Sequence, residues 1–361
     1  MAFSFGFSGD DIDIDDSELH EDGVNSLAQT EGNALPALVP AQKHDIKEWI
    51  PTFPSQISYN KLAIEISGTD ESLTLARREV FDIRTQLMAE DTADHENEEL
   101  ISGLEEGDIK PNFYEGGFKT WECALDLAKL VAVEGVASDS AQDLHIIELG
   151  AGTAVPSLAL FAQLLARKEP SGCKTHFTFA DYNTAVLRLV TLPNLLLTWN
   201  YVVSQRTSVS AGAPAESEQP EEEELDVTPD LLEQFEKDLA EREITVEFIS
   251  GAWSPAFVDL VFAGVAPGDR KTLVMASETI YSPASLSAFS ETLLALLRRS
   301  TEGGGRSRAL VAAKKVYFGV GGGVDEFLAV FRGLTGNGVH VQEQLDVKSE
   351  GVGRVVLEIA G

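Results

Sequence analysis

Past residue 113, apolar positions fall into two alternating kinds of run. Runs of four to six residues cover Leu144–Leu149, Phe177–Ala180, Ile244–Ile249, Thr272–Ala276 and Ala309–Lys314. They are too short for helices and predict strands. Between them lie longer apolar-rich stretches at Ala124–Val133, Ser157–Ala166, Ala185–Trp199, Leu231–Glu241, Leu286–Arg299 and Glu326–Leu334, which predict helices. Pro193 interrupts the third, so that helix is expected to kink or restart. Val339–Val347 and Arg354–Ile359 read as a closing pair of strands. Strands alternating with helices, then a terminal hairpin, predict an α/β, doubly wound, mostly parallel sheet.

Ahead of this pattern the chain is less regular. Residues 1–34 alternate Phe3, Phe5 and Phe7 with small residues and then turn acidic, so a disordered acidic tail is expected. The Phe-rich run is either a docking motif or a segment that tucks onto the domain. Residues 35–112 read as an extension capping the core, with extended pieces such as Leu62–Ile66, an amphipathic helix over Thr74–Glu90 and an acidic linker over 91–108. Residues 113–361 then form the main domain, interrupted by an acidic Ser/Glu/Pro insertion within 204–243.

Charge sharpens this division. The net charge is −32. Residues 1–31 and 90–108 each hold nine acids and no Lys or Arg, and 204–243 hold thirteen acids against Arg206, Lys237 and Arg242. The rest is nearly neutral. Acidic appendages are usually solvated, or attract a basic protein partner, and direct nucleic-acid binding is disfavoured. Two cysteines, Cys123 and Cys173, exclude a disulfide framework and a cysteine zinc cluster. Six scattered histidines give no metal spacing. With no leader pattern and no 18-residue apolar run, a soluble, intracellular chain off the membrane is expected; a monomer of the cytoplasm and nucleus is a separate expectation.

Candidate chemistry centres on His145-Ile-Ile-Glu-Leu-Gly-Ala-Gly-Thr153. A buried strand meets Gly150 and Gly152, then Pro156 where a first helical turn tolerates proline. This opens a nucleotide-binding half of a doubly wound fold. The dinucleotide fingerprint needs a third glycine where Val155 stands, which disfavours a nicotinamide enzyme. Glu148, Gly150, Gly152 and Ala154 instead fit the form that binds S-adenosylmethionine, SAM.

Ligands of such sheets lie at the carboxyl ends of the strands. Asp181, ending the second strand, can accept from both ribose hydroxyls. Tyr182 and Asn183 can frame the adenine or pack. Trp253 covers the adenine or belongs to the core. Glu148 binds the methionine amino group directly or orders the glycine loop, with Thr153 at the helix start. Trp121 and Glu122 can close over the methionine end. Ser277, Glu278 and Tyr281 follow the fourth strand, where an acceptor enters; alternatively Ser282 caps a helix and Glu278 is merely exposed. His145 reads as a core histidine.

Five motifs carry a resemblance. Glu115-Gly-Gly-Phe-Lys-Thr-Trp-Glu-Cys123, Glu148-Leu-Gly-Ala-Gly152, Asp181-Tyr-Asn183, Ser277-Glu-Thr-Ile-Tyr281 and Lys314-Lys-Val-Tyr-Phe-Gly-Val-Gly-Gly-Gly323 resemble the seven-strand protein-histidine methyltransferases, and the opening Phe-Ser-Phe-Gly-Phe resembles the fungal members. The resemblance implies a class I SAM-dependent fold of strand order 3-2-1-4-5-7-6. It implies methylation of the distal ring nitrogen of a histidine in a large-subunit ribosomal protein. It implies cofactor contacts at Trp121, Gly150, Gly152, Asp181 and Trp253. Ala151 replaces a common cysteine. Ala252 stands where relatives often carry an acid, so no adenine contact is carried over there. Neutral imidazole needs no strong base, so positioning dominates, with Glu278 or Tyr281 holding the other ring nitrogen. A lysine methyltransferase of the same fold, and a noncatalytic SAM-fold binding protein, are the competing expectations.

Overall fold

The computed structural model describes residues 38–66, 72–91, 100–101, 116–135, 142–167, 172–211, 223–265, 268–302, 304–319, 321–336, 338–348 and 351–360. The tail 1–34 and most of the linker 91–108 lie outside the described residues. The strands are β1 (Gln42–His44), β2 (Gln56–Glu65), β3 (Ser72–Arg78), β4 (Asp143–Leu149), β5 (Thr175–Asp181), β6 (Glu223–Asp226), β7 (Ile244–Ser250), β8 (Arg270–Ser277), β9 (Arg306–Lys314), β10 (His340–Val347) and β11 (Arg354–Ala360).

Eight of these form one sheet in the order β1-β7-β5-β4-β8-β9-β11-β10. Without β1 this is the 3-2-1-4-5-7-6 order. The strand count is therefore corrected from seven to eight: β1 pairs antiparallel with β7, His44 opposite Phe248. The sheet is parallel from β7 through β9, and β11 and β10 close it antiparallel. Alternation along β4 sorts the two faces. Leu144 and Ile146 pack with the helices Glu122–Glu134 (α3), Val155–Ala166 (α4), Leu192–Ala211 (α6) and Pro229–Glu241 (α7). Ile147 and Leu149 pack with Pro255–Phe262 (α8), Leu286–Thr301 (α9) and Val324–Thr335 (α10). The fold is thus doubly wound about β4, whose neighbours β5 and β8 run off in opposite directions. That is the switch point where such sheets bind ligands.

Three expectations are corrected. First, Thr74–Glu90 is not one helix. Ser72–Arg78 is a strand paired antiparallel with β2, and the helix α2 (Val80–Glu90) begins only after Glu79. Pairing of Leu73 with Ile64 and Leu75 with Leu62 outweighs the local helical spacing. Second, the described parts of the acidic insertion are largely regular. Helix α6 runs to Ala211, and Glu223–Asp226 adds to β2 as the third strand of a sheet ordered β3-β2-β6. Leu225 opposes Ile57 there, and Glu223 pairs with Lys61 and Tyr59. The N-terminal extension and the insertion therefore build one accessory sheet. Third, a long apolar run does occur: an 18-residue stretch within Thr184–Arg206 is apolar enough by composition to cross a membrane, but 78% of it is buried in the protein.

Pro193 behaves as its chemistry requires. A single wide helical turn, Leu187–Thr191, precedes it between the short α5 (Thr184–Val186) and α6. Proline has no N–H to offer the Leu189 carbonyl, and the Arg78 guanidinium donates to that oxygen at 3.0 Å instead.

Candidate active site

The glycine turn after β4 is held from four sides. Gly150, Gly152 and Ala154 all take left-handed backbone (φ 64°, 51° and 57°) before α4 starts. At Gly152 the need is also steric, since a Cβ there would stand 3.1 Å from the Gly117 oxygen. The Gly152 N–H donates to Asp181 Oδ2 at 3.0 Å, and its carbonyl accepts from Thr191 Oγ1 at 2.7 Å. The Thr153 carbonyl accepts from Asn194 Nδ2 at 3.1 Å, and the Thr153 and Thr120 hydroxyls lie 3.0 Å apart.

Glu148 is 1% exposed and faces α4. Ala154, at the cap position, has no side chain that can accept, and Glu148 Oε2 accepts from Ser157 N at 3.1 Å in its place. Burial pushes its carboxyl up to about 8, with the Asp181 charge adding to the rise and the Ser157 bonds opposing it. Of the two roles read for Glu148, ordering the loop is the one these contacts perform.

Asp181 also accepts from Asn183 N at 3.1 Å, so one carboxylate braces both turns. Asp181→Ala leaves one buried and one part-buried N–H group without acceptors. It is expected to lower unfolding stability by about 2–3 kcal/mol, measured by urea titration; an unchanged midpoint contradicts the brace. Tyr182 and Asn183 follow at the end of β5. The Tyr182 hydroxyl accepts from Val39 N at 3.4 Å, and Asn183 Nδ2 is buried without a partner. Trp253 is half-buried and stacks edge-on against Phe289 with centroids 5.1 Å apart, so one side of it belongs to the core. Ala252 N donates to Val39 O at 2.9 Å, which brings the segment before β1 beside this loop.

On the other side of β4, the ends of β8 and β9 meet the start of α3. Ser277 closes β8, and Glu278 takes left-handed backbone (φ 57°) fixed by its N–H on Ala312 O at 2.9 Å. Its side chain is 9% exposed. Helix α9 is preceded by Ser285, so Ser282 is no cap and Glu278 is not merely exposed. Glu278 Oε1 accepts from Cys123 N at 3.4 Å and lies 3.9 Å from Lys314 Nζ. Lys314 also pairs with Glu122 Oε2 at 2.8 Å and stands 5.4 Å above the Trp121 ring. Partial burial works against the Lys314 charge, but Glu122 and Glu278 together hold its pKa above the usual lysine value. The hydrogen bond from Lys314 in turn holds Glu122 below the usual carboxylate range. The Tyr317 hydroxyl accepts from Lys314 N at 3.2 Å, and burial with the Glu278 charge nearby keeps the phenol neutral. Tyr281 stands 6.4 Å from Tyr317, ring to ring, edge to face. Gly322 lies directly on the Tyr281 backbone, where a Cβ would fall 2.2 Å from the Tyr281 oxygen.

The structure thus sets Trp121, Glu122, Glu148, Gly150, Gly152, Thr153, Asp181, Tyr182, Asn183, Trp253, Ser277, Glu278 and Tyr281 along the carboxyl ends of β4, β5, β7 and β8 or the adjoining start of α3. His145 is apart from them: it is fully buried in β4, its Nε2 is 3.0 Å from Thr178 Oγ1, and burial pushes its pKa well down, so it is neutral. Thr120, Lys314 and Tyr317 lie within the quoted motifs but carry no role in the sequence reading, and Thr191 and Asn194 lie outside those motifs. Thr191 and Asn194 are fully buried polar residues inside an apolar helix, a signal present in the sequence.

The residues fit SAM. Bare backbone at Gly150 and Gly152 adjoins three buried polar atoms without partners, Glu148 Oε1, Asn183 Nδ2 and Thr279 Oγ1, at the ends of three adjacent strands. The sheet order and this site define a class I methyltransferase that uses S-adenosylmethionine. No family model matches the chain. Curated relatives do: Histidine protein methyltransferase 1 of Saccharomyces cerevisiae is 35% identical over 91% of this chain and 90% of its own length. Its namesake in Schizosaccharomyces pombe is 34% identical over 90% and 84%. The chain belongs to the histidine protein methyltransferase 1 family. Among solved structures, an rRNA methyltransferase from Streptomyces viridochromogenes aligns over 67% of this chain and 86% of that one, with 14% identity and a TM-score of 0.34.

Proposed function

We propose that this protein methylates the distal ring nitrogen of a histidine in a basic protein of the large ribosomal subunit, acting as a monomer in the cytoplasm and nucleus. Family membership over nine-tenths of the chain is the observation that carries the reaction. SAM supplies an electrophilic methyl group on sulfonium. Asp181 and the glycine turn would hold its ribose, with Tyr182, Asn183 and Trp253 around the adenine. Trp121 and Glu122 close the methionine end. The acceptor imidazole enters between Glu278 and Tyr281. Glu278 accepts from the ring N–H, which selects the tautomer with its lone pair on the reacting nitrogen and steadies the cation that forms. Tyr317 and Lys314 aim Glu278.

The deciding experiment incubates labelled SAM with unmodified ribosomal protein extract and maps the modified residue. Label on a histidine ring nitrogen is expected. Label on lysine, or none, overturns the reading. The acceptor rim carries Phe318, 79% exposed, on the glycine-rich loop beside Tyr317. With Val316, 50% exposed, it gives this rim an apolar surface that a protein substrate would cover. Phe318→Ser is expected to raise KM for the protein roughly tenfold and leave the affinity for S-adenosylhomocysteine (SAH) unchanged.

A further inference from the structure

Two consecutive arginines end β3, and among the described residues only Arg78 of the two forms an ion pair. Arg78 donates to Asp82 Oδ2 at 2.7 Å, to Gln86 Oε1 at 2.7 Å and to the Leu189 carbonyl at 3.0 Å. It is a structural tie. Arg77 projects from the other face of the strand. Its Nη1 donates to Thr120 Oγ1 at 2.7 Å and its Nη2 to Asn60 Oδ1 at 3.1 Å, both neutral acceptors. Its Nε–H is buried with no acceptor. Among the described residues no carboxylate is within ion-pair distance; the Glu79 charge acts on it from farther off, and Glu79 also accepts from the Asn60 amide at 2.5 Å.

Thr120 links this guanidinium to the glycine turn. Its hydroxyl accepts from Arg77 and lies 3.0 Å from Thr153 Oγ1, one residue past Gly152. If Thr120 donates to Thr153, the Thr153 proton is free for a further acceptor. The row Arg77–Thr120–Thr153 is therefore a set of donors ending at the turn, beside Trp121 and Glu122. With the ribose at Asp181 and the adenine beyond it towards β7, the amino-acid end of the methyl donor runs back to this corner. That end carries a carboxylate, which a planar guanidinium fork matches.

We propose that Arg77, carried by the accessory sheet, binds the carboxylate of the methionine moiety of the methyl donor together with the Thr120 and Thr153 hydroxyls. The inference rests on the methyltransferase reading. It makes the N-terminal extension a part of the donor site rather than a cap on the core.

The test compares two ligands by calorimetry. SAH has the amino-acid carboxylate, whereas 5′-methylthioadenosine lacks it. Arg77→Gln is expected to weaken SAH about 10- to 100-fold while changing methylthioadenosine less than twofold. Arg77→Lys, which keeps the charge but loses the fork, falls between. Equal weakening of both ligands, or of neither, overturns the proposal. If Arg77→Gln melts early, Thr120→Val carries the test with the same selective loss of SAH. A wild-type protein that binds neither ligand overturns the methyltransferase reading itself, and with it this one; wild-type binding with unselective variants overturns only the role of Arg77.

Discussion

Glu278→Gln is expected to lower turnover on the protein acceptor by about 10²- to 10³-fold while SAH affinity stays within twofold. The substitution keeps shape and backbone. Both side chains meet the same conformational cost at φ 57°, and the amide oxygen still accepts from Cys123 N. Lys314 keeps its closer partner, Glu122 at 2.8 Å. Only the negative charge goes. Methylation of a neutral imidazole leaves a cation, and a carboxylate on the remaining N–H gains strength as that cation forms. A carboxamide does not. The loss therefore falls on kcat. Single-turnover rates with saturating SAM read it directly. Full turnover in Glu278→Gln and also in Tyr281→Phe removes both residues from the acceptor step.

The turn around Gly150 and Gly152 was legible because its signals are local. A strand-length apolar run, two glycines and a proline in the first helical turn lie within a dozen residues, and the chain must turn there wherever the rest packs. Asp181 and Glu278 were legible for the same reason, each directly ending a strand. What braces them was not. Thr191, Asn194 and Arg77 reach the turn from strands and helices tens of residues away, and no local pattern records a hydrogen bond of that kind. Thr74–Arg78 shows the limit most clearly. Its spacing suits a helix, and only Gln56–Glu65 lying alongside makes it a strand. The acidic stretch misled through composition. Leu225 packs against the cluster of Ile57 and Tyr59, a contact that composition does not record, whereas the helix holding Phe235 and Leu239 is already expected from its spacing.

Glu148→Gln is expected to make the protein more stable than wild type at high pH and to change little at low pH. The sign follows from the buried carboxyl. Its pKa is about 8 in the folded protein against 4.5 in the unfolded chain. Below pH 4.5 both states hold the proton and there is no difference. From pH 4.5 to 8 the unfolded chain releases it while the folded protein keeps it, so wild-type stability falls as pH rises. Above pH 8 the loss is complete, at roughly 3–5 kcal/mol. Glutamine carries no proton to lose, and its amide oxygen replaces Oε2 as the acceptor for Ser157 N. Urea unfolding of both proteins at pH 5 and pH 8.5 isolates this one group, since every other titration is shared. A stability difference that grows by several kcal/mol between the two values is the expected result, and a constant difference contradicts the buried neutral acid. Glu148→Leu separates charge from capping. It removes the acceptor as well as the proton, leaves Ser157 N unpaired in the core, and is expected to be about 1–3 kcal/mol less stable than Glu148→Gln at both pH values. SAH titration of Glu148→Gln then decides between the two roles of the side chain. Unchanged affinity leaves Glu148 as the brace of the glycine turn, whereas a loss above pH 8 assigns its second oxygen to the methionine amino group.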